Sequence, residues 1–184
     1  MHKLWTIKND EIELIHATSK GDHKIKVILQ ETVLDKNFSD YLVKVINEAH
    51  LIAQEIKFEG KYGEVSQGAI EATVALLVQK WSYNTNITIK KMSADLLFAF
   101  ACRHKFKNGN KRTALVSCVL FLKFCVLFFR NTNYDETGYM GYWEPFMERI
   151  VETCSNNTFT EEESLECIKI VIDRNVTISH TRYN

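Results

Sequence analysis

Residues 104–122 read HKFKNGNKRTALVSCVLFL, a short polar loop followed by an almost wholly apolar segment. Apolar side chains recur at steps of three and four from Leu115 to Phe129, which predicts a helix buried at the centre of the protein. The run over residues 114–129 is also shorter than the roughly 20 apolar residues that a membrane span needs, and it contains Lys123. We therefore expect a core helix and no membrane association.

The polar loop before this helix has the composition of an anion site. Gly109 permits backbone angles that other residues avoid, and Asn110 is placed to cap the helix. Lys111 and Arg112 put positive charge on the first helical turn, where the helix dipole disfavours it unless an anion binds there. The loop thus predicts a phosphate cradle built from backbone N–H groups and two cations.

His104 and Phe106 begin the same loop. An imidazole at position 104 could take a proton from an attacking hydroxyl, and Phe106 would anchor the loop in the core. The alternative is a solvated turn between two helices, with Asn108 and Gly109 as turn residues and with His104 and the lysines on the surface. The combination of residues, more than any one of them, favours the phosphate site.

The residues HKFKNGNKR match the pattern H-x-F-x-[DN]-[GA]-N-[KG]-R, and on this motif the chain resembles the Fic/Doc family. Lys111 in place of the more usual glycine, and Leu115 where many members carry a second arginine, are similar to the Doc, or death-on-curing, branch. The resemblance covers residues 59–129 well. It implies a mainly α fold, a helical bundle with the motif between two central helices.

The resemblance also implies a role for each motif residue. His104 would act as general base, and Phe106 would hold it in position. The residues that would bind the phosphates of the expected substrate, ATP, are Gly109, Asn110, Lys111 and Arg112. The family often has an acidic residue where this chain has Asn108, whose neutral oxygen would be a weak Mg²⁺ ligand. The expected Mg²⁺ would therefore rely mainly on the nucleotide.

Doc-like members resemble kinases that phosphorylate a translation factor, whereas typical Fic enzymes transfer a nucleotide monophosphate to a protein hydroxyl (AMPylation). Lys111 adds bulk and charge where a glycine would let the nucleotide lie closely, so we expect the orientation that exposes the γ-phosphate. The implied target is a translation factor such as elongation factor Tu, and its modification would block growth. The chain lacks an [ST]-x-x-x-E-[GN] segment, the self-inhibitory motif of many Fic proteins, which predicts a separate antitoxin.

The rest of the chain predicts further helices and one β element. Helical spacing predicts a helix capped by Ser39, a second from about Ser66 to Trp81, a third over residues 89–103 and a fourth over residues 142–154. Thr160 and Glu163 form a capping box before the last helix. The β-branched segment HKIKVILQETVL, flanked by SKGD, predicts a short strand or hairpin. We therefore divide the chain into an N-terminal extension, residues 1–35, and a helical domain, residues 36–184.

Residues 60–67, GKYGEVSQ, join two predicted helices and suit either a small hairpin-like flap or a plain connecting loop. By the family resemblance, a flap here would present a target segment beside the motif, often by strand pairing. Its candidate contacts are Lys61, Tyr62 and Val65, which are assigned from their position in the chain alone.

Charge and histidine spacing weigh against other classes of protein. Lysine plus arginine and aspartate plus glutamate number 23 each, so no overall charge favours nucleic acid as a partner. Arg103, Lys105 and Lys107, with the two loop cations, leave a non-catalytic RNA-binding module as a remote alternative. The histidines show no HExxH spacing, which disfavours a metal hydrolase, and His50 is expected to be a satisfied or surface residue.

Cysteine usage and the first residues bear on the compartment. The five cysteines form no CxxC pair, and four of them stand among apolar residues, where reduced thiols are usual. The opening residues MHKLWTIKNDE carry charge where a secretion signal needs an apolar run. Both observations favour a cytoplasmic protein.

Overall fold

The computed structural model describes residues 11–18, 21–28, 34–57, 60–84, 86–125, 127–129, 136–156 and 158–178. This part of the chain is mainly helical with a short β element near its start, as the sequence predicts. Its helices are α1 (Lys36–Ile56), α2 (Ala69–Ser82), α3 (Ile89–Cys102), α4 (Asn110–Phe124), α5 (Glu136–Ser155) and α6 (Glu161–Asn175). Its strands are β1 (Glu11–Thr18), β2 (Gly21–Ile28), β3 (Leu127–Phe129) and β4 (Val176–Ile178).

Helix α4 is the centre of the bundle and packs against α1, α3 and α5. All side chains over residues 113–119 are buried, and Ala114, Val116 and Cys118 have no exposed surface. A helix that is apolar on every side requires such surroundings, so the predicted central helix is confirmed. Within the described ranges, no helix is long and apolar enough to cross a membrane.

The central helix ends earlier than its apolar pattern predicted. It stops at Phe124, and Leu127–Phe129 form β3, which pairs antiparallel with β4 so that Leu127 lies opposite Ile178 and Phe129 opposite Val176. The prediction was wrong here because a short apolar run has no periodicity that separates a buried strand from a buried helix. The sheet fastens the end of α4 to the end of α6.

Two helices begin before their predicted starts. The cap of α1 is Asp35 and not Ser39, because the Asp35 carboxylate accepts the Phe38 N–H at 2.8 Å. Helix α5 begins at Glu136 and not at Tyr142. The other predicted boundaries are closer, since α3 ends at Cys102 and the capping box of α6 is present.

Helix α2 begins at Ala69, after the predicted start near Ser66. Gly68 precedes it in the left-handed conformation, with φ of 80°, and provides no side-chain cap. Instead the Glu64 carboxylate accepts the Ala69 N–H at 2.7 Å and the Ile70 N–H at 3.4 Å. The helix start is therefore satisfied by a residue of the preceding connection.

The N-terminal strands form a hairpin. Strands β1 and β2 pair antiparallel, from Glu11 opposite Ile28 to Thr18 opposite Gly21, which confirms the predicted β element. The predicted turn residues 19–20 and the end of the predicted segment, residues 29–33, lie outside the described residues.

A buried polar cluster fastens α2 to α3, the helix that leads into the loop. Asp95 of α3 is 2% exposed, and its two carboxylate oxygens accept from Lys80 Nζ and from Trp81 Nε1, each at 2.8 Å. Both oxygens have a donor, so this charge is buried at modest cost.

The five cysteines are free thiols. Cys118 is fully buried in α4, and burial raises the pKa of its thiol to about 12. Cys102 and Cys154 are half-buried, and their Sγ atoms are 2.7 Å apart, whereas Cys167 is exposed. Four of the five cysteines are therefore buried or partly buried, in agreement with the four that the sequence places among apolar residues.

Candidate active site

The loop between α3 and α4 begins with a strained residue. His104 has φ of 42°, and it is the one non-glycine residue with positive φ in the described ranges. This left-handed conformation costs a histidine roughly 1 kcal/mol, and such strain is concentrated at functional sites. The His104 side chain is exposed and lines the cavity described below.

Contacts of Phe106 and Asn110 fix the conformation of the loop. The Phe106 ring is 1% exposed, 5.9 Å from the Phe100 ring centroid. Asn110 Oδ1 accepts the Phe106 N–H at 2.9 Å, and Asn110 Nδ2 donates to the Phe106 carbonyl at 2.8 Å. The prediction that Asn110 caps the helix was wrong, because Asn110 is the first helical residue. Its amide is engaged, so a phosphate contact from Asn110 would come through its backbone N–H.

Gly109 occupies the N-cap position of α4. Its φ is 72°, in the left-handed region, and its N–H donates to Asn108 Oδ1 at 2.8 Å. A Cβ at this position would stand 3.0 Å from Gln54 Nε2, so a side chain here would require Gln54 to shift. Because glycine provides no side chain that could cap the helix, the start of α4 is uncapped in this sense, as is typical of helix starts that bind anions.

The two loop cations are held from opposite sides. Arg112 is 8% exposed, and its Nη1 donates to the carbonyl of Lys57, at the end of α1, at 2.8 Å. Lys111 Nζ lies 3.2 Å from Glu148 Oε1 on α5. Both side chains line the same cavity, so their positive charge is directed to one volume.

That cavity, about 500 Å³ in volume, opens between the loop and α5. His104 and residues 107–112 form its polar side. The α5 side was not predicted as part of a site, although its residues recur at steps of four, which is the signal that could have found them. The lining residues beyond the loop include Leu115, Trp143, Glu144, Met147, Glu148 and Val151.

The segment over residues 60–67 pairs with the loop as a flap. The Val65 N–H donates to the Lys105 carbonyl and the Lys107 N–H to the Gly63 carbonyl, each at 3.0 Å, in an antiparallel bridge. Of the two predicted alternatives, a flap and a plain loop, the paired flap is observed. Its candidate contacts Lys61, Tyr62 and Val65 are exposed.

His50 of α1 lies beneath both the flap and the loop. It is 2% exposed, its Nε2 is 3.2 Å from the Gly63 nitrogen, and its Nδ1 is 3.0 Å from Thr113 Oγ1. The expectation of a satisfied histidine is thus confirmed, but its place in this site was missed. The available signal was its position in the buried stripe of α1, next to Ala49 and Ala53.

Ring contacts and charge complete the surroundings of His50. Its ring stacks on Phe106 at 4.1 Å and on Tyr62 at 4.6 Å between centroids. Burial and the nearby Arg112 guanidinium lower the His50 pKa to about 4, so the ring is neutral at neutral pH.

The loop does not fit a magnesium ion held by the protein. Asn108 supplies a neutral oxygen, and that oxygen already accepts the Gly109 N–H. Among the described residues there is no group of three or more acidic, histidine or cysteine side chains that could hold a metal. Mg²⁺ prefers carboxylate and phosphate oxygens, so any ion here would depend on its nucleotide.

A helical bundle in which an uncapped helix start, two cations and an imidazole face one cavity is suited to group transfer from a nucleotide. The model of the Fic/DOC family matches residues 30–122, just over half of the chain, so the chain belongs to this family. Membership implies modification of proteins by transfer from a nucleotide. No curated protein matches the chain.

Proposed function

We propose that this protein is a Doc-like toxin that transfers the γ-phosphate of ATP to a hydroxyl group of a target protein in the cytoplasm. The observation that carries the proposal is that His104, Lys111 and Arg112 line one cavity of about 500 Å³ at the uncapped start of α4. A base and a phosphate cradle within one cavity are the parts that phosphoryl transfer requires.

The reaction assigns His104 the role of general base. The target hydroxyl oxygen attacks the γ-phosphorus, and the bond from that phosphorus to the β,γ-bridging oxygen breaks, so ADP leaves. The hydroxyl proton passes to the His104 imidazole. The backbone N–H groups at the start of α4, with Lys111 and Arg112, stabilise the negative charge on the phosphates.

Lys111 supports attack at the γ-phosphorus. The terminal phosphate of ATP carries the most charge, and a lysine on the first turn of α4 is a point charge suited to it. The salt bridge from Lys111 to Glu148 joins two exposed side chains, so it contributes little stability and a phosphate can replace it. The apolar wall of Leu115, Met147 and Val151 offers space for the rest of the nucleotide.

The flap is proposed to hold the target segment. Tyr62 is 49% exposed and Val65 58% exposed, on an extended segment that already pairs with the loop. An extended target segment that pairs with it would lie next to His104, with Lys61, Tyr62 and Val65 as its contacts.

The site of label transfer tests the proposal. The protein is incubated with a cell extract, and separately with purified elongation factor Tu as the candidate target, using ATP labelled either at the α- or at the γ-phosphate. We expect γ-label on a protein and no α-label, and no label with the His104→Ala variant. Transfer of α-label would instead support AMPylation, and no label from either ATP would contradict both reactions.

Toxicity and a separate antitoxin are also part of the proposal. Expression of the chain alone should arrest growth, and expression of His104→Ala should not. Normal growth with wild-type protein present at a verified level would argue against a toxin. Co-purification of a second protein that restores growth would identify the antitoxin.

Magnesium is proposed to enter with ATP. Asn108→Asp keeps an oxygen that can accept the Gly109 N–H and adds the carboxylate that Mg²⁺ prefers. We expect this variant to need several-fold less Mg²⁺ for half-maximal label transfer. An unchanged Mg²⁺ dependence would mean that position 108 does not face the ion.

A further inference from the structure

We propose that His50 is a positioning residue that couples the flap to the phosphate-binding loop. Its ring stands between three parts of the site, with Gly63 of the flap at one nitrogen, Thr113 of α4 at the other, and Phe106 of the loop against its face. The inference rests on the proposed function, because the role given to His50 is to hold a target segment on the flap at a fixed place beside His104.

The hydrogen bonds define the state of the ring. The Gly63 N–H can only donate, so His50 Nε2 must accept, and the ring proton is on Nδ1. Nδ1 then donates to Thr113 Oγ1, 3.0 Å away. One neutral tautomer satisfies both neighbours, whereas a protonated ring would have no acceptor for the flap.

Gly63 is the point at which this contact acts on the flap. Its carbonyl accepts the Lys107 N–H at 3.0 Å, and its own N–H donates to His50 at 3.2 Å. The same peptide region is thus held by the loop from one side and by α1 from the other. Without His50, the flap would lose its hydrogen bond to α1 and would be held only by its two bonds to the loop and by the Glu64 contact with the start of α2, so it would open more often.

Packing alone does not explain a histidine at this position. A phenylalanine would fill the space between Phe106 and Tyr62 and would bury no polar ring. A side chain with an acceptor facing Gly63 adds the hydrogen bond that joins the flap to α1, which a phenylalanine cannot make. The expected effect of its loss is therefore on the target and not on the nucleotide, which binds at the start of α4.

Three variants separate these roles. His50→Phe keeps the stacked ring and removes both hydrogen bonds, and Thr113→Val removes only the contact at Nδ1. His50→Gln returns an acceptor toward Gly63. With the labelled protein found in the ATP experiment as substrate, we expect His50→Phe to raise KM for that target at least tenfold. ATP affinity should change less than twofold, and His50→Gln should recover part of the loss.

Amide hydrogen exchange tests the coupling without any transfer reaction. In His50→Phe the exchange of the Gly63 and Val65 amides should become at least tenfold faster, while core amides of α4 keep their protection. If wild-type protein transfers no label, the proposed function fails, and this measurement still decides the role of His50. If His50→Phe does not fold, His50→Gln and Thr113→Val are compared in the same way.

Two results would overturn the inference. One is unchanged exchange at Gly63 and Val65 in folded variants, which would show that the flap does not depend on His50. The other is an equal loss of affinity for ATP and for the target, because a general structural defect, and not coupling of the flap, produces that pattern.

Discussion

Two parts of the molecule differ in how completely their polar groups are paired, namely the Asp95 cluster between α2 and α3 and the surroundings of the loop before α4. Asp95 is buried with a donor at each oxygen. Gln54, 8% exposed beside Gly109, has no hydrogen-bond partner at either amide atom within the described residues, and His104 at the start of the same loop as Gly109 has a strained backbone. Complete pairing serves stability, whereas strain and unpaired groups mark the part of a protein that acts on a ligand. This difference supports the proposal that the loop is the functional part and that the Asp95 cluster is structural.

Removal of His104 should give the largest effect. General base catalysis contributes about 10²–10⁴-fold, so His104→Ala should lower γ-label transfer by roughly a thousandfold. The melting temperature should hardly change, because the side chain is exposed. His104→Gly is the matched control, since it removes the same base and also relieves the positive φ. Growth arrest that persists in His104→Ala would favour a binding function, such as the RNA-binding alternative.

Removal of Asp95 should affect stability and not activity. Asp95→Ala leaves the Trp81 N–H buried without an acceptor and removes a charge-assisted bond, at a cost of about 3 kcal/mol in the free energy of unfolding. Asp95→Asn keeps one oxygen for Trp81 and should cost less. Urea unfolding measures both, and label transfer per folded molecule should match wild type. A loss of transfer without a loss of stability would break the distinction between the two clusters.

The pH dependence of stability should report His50. The unfolded chain binds a proton at this residue near pH 6.5, whereas the folded chain does so only at about pH 4. Stability is therefore complete above pH 6.5 and falls as the pH drops toward 4, by roughly 2 kcal/mol at pH 5. Unfolding curves of wild type and His50→Phe should differ in slope over this window. Parallel curves would show that His50 protonates equally in both states.

Substitution of Gly109 should give the smallest effect. It combines the cost of backbone strain with the cost of a steric contact. Gly109→Ala meets a positive φ and places Cβ 3.0 Å from Gln54 Nε2, so we expect a loss of about 1–2 kcal/mol in unfolding free energy. Combining it with Gln54→Ala should relieve the contact but not the backbone strain. A double-mutant cycle by urea unfolding separates the two. Strict additivity would mean that Gln54 imposes no steric limit on position 109.

The helices and the loop could be predicted because their signals are local. The apolar spacing of α4 and the capping box of Thr160 and Glu163 each lie within one turn or one element. Helix starts were harder, because caps can come from further away. The cap of α1 is Asp35 and not the predicted Ser39. The first N–H group of α2 is bound by Glu64, which lies in the flap.

The missed parts of the site depend on contacts between distant segments. His50 meets Thr113 only because α1 packs on α4, and Met147 and Glu148 reach the cavity only because α5 closes over the loop. Strands β3 and β4 likewise pair although α5 and α6 lie between them in the chain. No spacing within one element records such pairings. A single sequence could therefore predict the loop and the helix that follows it but not the wall opposite the loop.

Because α5 forms one wall of the cavity, the site is complete only after α5 has been synthesised and has packed against the loop. Domains tend to fold from the N-terminus as they emerge, so α1, the flap and the loop can assemble first. Trp143 and Met147 follow later, and without them the loop faces solvent and not a cavity. Contacts between distant segments also form slowly. A nascent chain thus carries the loop before the cavity exists, and under the proposed function its activity would begin only after the last helices have packed.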